Sequence, residues 1–177
     1  CTRIWEGLVM AINLKSLSKP DGQRPIIATL FGEGGMGKTS LAAMFPKPVF
    51  IRTEDGTASL VGNNDVSLFP LATSSQDVLD AIEALATEKH DHKTLVIDSI
   101  TQLATQIESE IVESDSKAKS ISQAGGGYGA GYGQASERHA QIREWAGSLA
   151  YEMNMNVVFI GHADTETLTL PDMDPYN

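Results

Sequence analysis

Gly32-Glu33-Gly34-Gly35-Met36-Gly37-Lys38-Thr39 fits G-x-x-x-x-G-K-[ST] at every fixed position and follows the apolar run Ile26-Ile27-Ala28-Thr29-Leu30-Phe31. Glycines at these spacings let a backbone curl around an anion with its N–H groups turned inward. A helix opening at Gly37-Lys38 adds the positive end of its dipole. In such a loop Lys38 lies against the β- and γ-phosphate oxygens of a nucleoside triphosphate, and the Thr39 hydroxyl is one ligand of a bridging Mg2+. Gly32, Glu33, Gly34, Gly35, Met36, Gly37, Lys38, Thr39 and Ser40 are therefore the expected phosphate-binding residues.

The rest of the chain sets the scale around that loop. Its 177 residues, 41% hydrophobic, are about one domain with a substantial core. A formal charge of −10 argues against coating nucleic acid by bulk electrostatics and leaves room only for a local basic strip. The one cysteine, Cys1, excludes a disulfide framework and a cysteine-based metal site. No apolar run approaches the ~20 residues of a membrane span, and the cytoplasm is the expected location.

Residues 1–24 read as a lead-in segment whose apolar positions fit neither helical nor strand period, and Met10-Ala11 resembles a translation start. Residues 25–31 predict the first strand, and residues 38–44 a helix ended by Pro46 and Pro48. Residues 49–56 predict a short apolar strand finishing in Glu54 and Asp55, and residues 66–71 alternate like an edge strand that tolerates Pro70. Ser74 and Asp77 form a capping box for a helix reaching about Lys89. Thr94-Leu95-Val96-Ile97-Asp98-Ser99 is a fully apolar strand of the kind buried on both faces of a parallel sheet, with a carboxylate at its end. A helix through Leu103, Ile107 and Ile111 follows, and residues 114–134, rich in Ser, Lys, Gly and Tyr, predict a loop. Ala140, Ile142, Trp145, Ala146, Leu149 and Met153 mark the next helix, and residues 156–162 the last strand.

Alternating strands and helices predict an α/β fold with a mostly parallel sheet and ligands beyond the carboxyl ends of the strands. Asp98 suits holding Mg2+ together with Thr39. Ser99, not glutamate, follows it, so the general base is sought elsewhere. Glu54 is the candidate, with Asp55 in reserve. His162 suits a contact to the γ-phosphate or the attacking water, relayed into residues 163–177. Lys38, Glu54 and His162 are thus the expected catalytic set, with Thr39 and Asp98 as metal ligands; His90, His92 and His139 read as surface residues. The absence of a guanine-reading N-K-x-D motif leaves ATP as the expected nucleotide.

On these residues the chain resembles the RecA-like P-loop ATPases, and among them the phage-type ATP-binding and single-strand annealing proteins. Phe50-Ile51-Arg52-Thr53-Glu54 is similar to the strand ending in the catalytic glutamate, Val96-Ile97-Asp98-Ser99 to the Walker B strand, and Phe159-Ile160-Gly161-His162 to the sensor strand. The resemblance implies a RecA-like P-loop NTPase core over residues 25–177, incomplete at its C-terminus. It also implies the sheet order 66–71, 48–52, 94–98, 157–161, 26–31, and ring or filament assembly.

Three functions follow as expectations. The first is an ATPase of phage-type recombination or annealing, contacting single-stranded DNA through Tyr128, Tyr132, Lys117 and Lys119. The second is an assembly or switch ATPase that binds no DNA. The third, a small-molecule kinase, is disfavoured by the lack of an arginine-rich lid.

Overall fold

The computed structural model describes residues 24–56, 60 and 65–163. The expected lead-in, except Arg24, and the expected relay segment past Ala163 lie outside them. Five strands alternate with helices: β1 (Ile27–Gly32), α1 (Lys38–Ala42), β2 (Pro48–Arg52), β3 (Ser67–Leu71), α2 (Ser75–Thr87), β4 (Thr94–Asp98), α3 (Ile100–Ser114), α4 (Ala130–Glu152) and β5 (Asn156–His162). All pairings are parallel and the order is β1-β5-β4-β2-β3, the order that the resemblance implied.

Side chains alternate across the strands, so each central strand feeds two cores. Val49 and Ile51, Leu95 and Ile97, and Val157 and Phe159 pack under α2, α3 and α4. Phe50, Val96, Val158 and Ile160 pack on the other face with Ala42 and Leu60. This two-sided burial explains why β4 and β5 read as unbroken apolar runs. Asp98 and His162 share the parity of Val96 and Ile160, so alternation turns both toward the face where α1 begins.

The helix layer is tied by polar contacts as well as by packing. Ser74 and Asp77 make the expected capping box, a feature worth about 1 kcal/mol. At the same end of α2 the Ser75 hydroxyl donates to Glu110 of α3 and accepts from Arg138 Nε of α4.

Three expectations need correction. Residues 114–134 are not all loop: a 3-10 turn covers Ala124–Gly126, and α4 begins at Ala130, placing Tyr132 inside a helix. Composition misleads here because the glycines have separate jobs. Gly129, at φ 82°, starts the helix in a left-handed conformation. Gly131 is helical and lies so close to the Ile121 carbonyl that an added Cβ would come within 2.2 Å of it. The buried stripe of α4 also differs from the expected one. It runs through Gly131, Ala135, Ile142, Ala146, Leu149 and Ala150, leaving Ala140 exposed and Trp145 and Met153 at 38% exposure, because the longer helix sets its own phase against the sheet. His90, His92 and His139 are half-buried, not surface residues. The His90 ring bonds the Leu85 carbonyl at the end of α2, and the His139 pKa is lowered by burial.

Candidate functional site

β1 carries the chain to the carboxyl edge of the sheet, where Gly32 stands on the same rung as His162. The loop that follows turns through left-handed backbone at Gly35, φ 78°, and Gly37, φ 84°. No atom lies within 4 Å of where a Cβ would stand on Gly34, Gly35 or Gly37, so the loop leaves open space above its backbone. Met36, at 71% exposure, stands outward, and Lys38 opens α1. The Lys38 ammonium donates to the carbonyls of Gly32, at 2.7 Å, and Glu33, at 2.8 Å, and lies 3.5 Å from His162 Nδ1.

Gly35, Met36, Gly37, Lys38, Thr39, Ser40, Glu54, Gly56, Asp98 and His162 line one cleft of about 420 Å3. Four segments remote in sequence thus meet at the carboxyl ends of β1, β2, β4 and β5. Gly32, Glu33 and Gly34 of the expected phosphate-binding set are not among these lining residues. Gly32 and Glu33 act instead as carbonyl acceptors for Lys38.

Two hydrogen-bonded pairs stand close together in the cleft. The Thr39 hydroxyl donates to Asp98 Oδ2 at 2.7 Å, and His162 Nε2 lies 2.8 Å from Glu54 Oε1. Single ligand atoms of Glu54, Asp98 and His162 all fall within 4.8 Å of one another. The two carboxylates experience different fields. Burial pushes the Asp98 pKa up, and the Glu54 charge adds to that push; the bond from Thr39 opposes it without reversing it. For Glu54, burial also acts upward, but hydrogen bonds from His162 and Ser99 and the nearby positive charges outweigh it, so its pKa is lowered. One carboxylate is therefore readily ionised, while the other gains by neutralisation from a cation.

The donors suit Mg2+. The Thr39 hydroxyl and the Asp98 carboxylate are hard oxygen ligands already in mutual contact, in a cleft whose glycine backbone leaves room for phosphate. When bound, the metal would neutralise charge on the β- and γ-phosphates. Asp55, the reserve base, points elsewhere: its side chain is 82% exposed and lies 3.8 Å from Arg52.

Several contributors escape a reading of the sequence alone. Gly56 forms part of the cleft wall. Thr53, 4% exposed, accepts from the Ser99 N–H at 2.9 Å and donates to its carbonyl at 2.7 Å. The Thr101 hydroxyl accepts the His162 N–H at 2.8 Å. Only Ser99 left a trace, as the residue occupying the place where a glutamate was sought.

The family model of the AAA domain matches residues 24–177. No curated protein matches the chain.

Proposed function

The chain belongs to the AAA domain family, a nucleotide-binding P-loop ATPase family, and within it we propose a Mg2+-dependent ATPase whose nucleotide state controls contact with single-stranded DNA. The observation that carries the hydrolytic half is the meeting of two pairs in one cleft, Glu54–His162 and Thr39–Asp98. Lys38 leaves its two loop carbonyls for the β- and γ-phosphate oxygens, while Thr39 and Asp98 hold the metal. Glu54 accepts a proton from water as its oxygen attacks the γ-phosphorus. The bond to the β–γ bridging oxygen breaks, ADP leaves with that electron pair, and phosphate is released. His162, bonded to Glu54 and 3.5 Å from Lys38, touches both sides of this event and serves as the sensor.

The DNA half rests on the segment after α3. Tyr128 is fully exposed at φ 54° between glycines, and Tyr132 is half-exposed four residues on, inside α4. Ring faces held in the open suit stacking with bases of any identity. Lys117 and Lys119, on the same connection, supply local positive charge. The role envisaged is the phage-type recombination or annealing that the RecA-like resemblance implies, in a ring or filament of cytoplasmic copies. Met36, Leu41 and Met44, all exposed, offer apolar surface to a neighbouring copy. A second reading, an assembly switch that binds no DNA, is favoured by the net charge of −10.

Hydrolysis measured with and without single-stranded oligonucleotide separates the two readings, since stimulation is expected only for the first. Glu54→Gln is expected to retain ATP binding and lose at least ~100-fold in kcat. Parental hydrolysis by that variant would remove Glu54 from the role of base.

A further inference from the structure

Glu54 sits in a short segment after β2, and its carboxylate is 39% exposed, so something other than burial must aim it. The neighbouring strand end supplies a means. Thr53 is buried, and its hydroxyl is fully used: it accepts the N–H of Ser99 at 2.9 Å and donates to the carbonyl of Ser99 at 2.7 Å. The Thr53 N–H in turn donates to the Asp98 carbonyl at 2.9 Å. Three bonds thus lock the residue before Glu54 onto Asp98-Ser99, across the rung where Arg52 pairs with Asp98.

Ser99, itself fully buried, accepts the Gln102 N–H on its Oγ at 3.2 Å, capping α3, and offers its backbone N–H and carbonyl to Thr53. Glu54 is therefore fixed at two points, its carboxylate by His162 Nε2 at 2.8 Å and its backbone by the lock on Thr53.

We propose that Thr53 is a positioning residue for hydrolysis. Its hydroxyl, bonded to both backbone groups of Ser99, fixes the chain from which Glu54 extends and so sets the Glu54 carboxylate against the attacking water. Thr53 does not line the cleft, so its loss should fall on kcat and spare binding. The residue after Asp98 thus anchors, through its backbone, a base supplied by the adjacent strand. The assignment rests on the reading of Glu54 as the general base.

The test is steady-state ATP hydrolysis with nucleotide affinity measured separately by a fluorescent ATP analogue, on Thr53→Val, Thr53→Ala, Thr53→Ser and Glu54→Gln in parallel with the parent. Thr53→Val keeps shape and removes both hydroxyl bonds. It is expected to lower kcat about 10- to 100-fold with affinity within about threefold of the parent, and Thr53→Ser to restore most of the loss. Thr53→Ala is expected to show the same split, and it decides the matter should Thr53→Val fail to fold. A folded Thr53→Val or Thr53→Ala protein at the parental kcat overturns the proposal, as does equal loss in Thr53→Val and Thr53→Ser, or a loss confined to affinity. If Glu54→Gln itself keeps parental hydrolysis, the failure belongs to the assignment of the base and not to the bracket.

Discussion

Two glycine-rich stretches, residues 32–37 and 125–133, each end in a helix entered through a left-handed glycine with no side-chain cap: Gly37 before α1 and Gly129 before α4. Their surroundings differ. Around the first, Gly34, Gly35 and Gly37 have open space where side chains would be, and at Gly35 and Gly37 that space belongs to a cleft walled by Glu54, Asp98 and His162. In the second, glycines divide into two kinds. Gly126, Gly127, Gly129 and Gly133 face open space. Gly125 meets the Gln134 side chain, and Gly131 meets a backbone carbonyl, where a Cβ would fit only if the chain moved. Similar composition thus serves ligand access in one place and close packing in the other; what separates them is the sheet edge behind the first and the α3–α4 junction around the second.

The comparison can be broken by exchanging defects between the two stretches. Lys38→Ala is expected to weaken ATP at least ~100-fold, because it removes the charge-assisted donor placed for the β- and γ-phosphates, while leaving the protein folded. Gly131→Ala should do the reverse. A Cβ 2.2 Å from the Ile121 carbonyl oxygen cannot be relieved by a rotamer change. A loss of about 3 kcal/mol is expected, seen as a fall in Tm of roughly 6–12 °C, with ATP affinity unchanged. A Gly131→Ala protein as stable as the parent would return the second stretch to the status of a mobile connector.

Replacing both Tyr128 and Tyr132 by alanine sharpens the comparison at the exposed side of that stretch. If the segment stacks on DNA, single-strand affinity should fall by about 1–3 kcal/mol per lost stack, with ATP binding unchanged. Equal affinity at matched salt would favour the switch that binds no DNA. The smallest effect concerns the cleft without ligand. A carboxyl whose folded pKa is raised stabilises the protein only below its unfolded pKa, and that contribution is lost as pH rises through the folded value. Ionised Asp98 therefore costs stability at pH 7. Asp98→Asn is expected to raise Tm at pH 7. The gain should shrink toward pH 4, and metal-dependent hydrolysis should fall. A Tm difference independent of pH would show that the carboxylate charge is not the cause.

A base directly after Asp98 would stand in the sequence as glutamate; serine stands there instead, and the fold brings Glu54 from the adjacent strand to the same cleft.

From sequence alone, the phosphate loop, the two-faced burial of β4 and β5 and the carboxylates at strand ends were determined, because each depends on local pattern: a fixed spacing, an unbroken apolar run, a polar residue where the run stops. The helical start of α4 was not, because glycine and tyrosine have no strong local preference for helix, and only the packing of Gly131 against Ile121 fixes where the turn ends. The same holds for Thr53, Ser99 and Thr101. In a list of residues they are three ordinary hydroxyls. Their bonds to the Ser99 and Gln102 amides and to the His162 N–H form only once parallel pairing brings β2, β4 and β5 to one edge, since hydrogen bonds need a distance that no sequence spacing supplies.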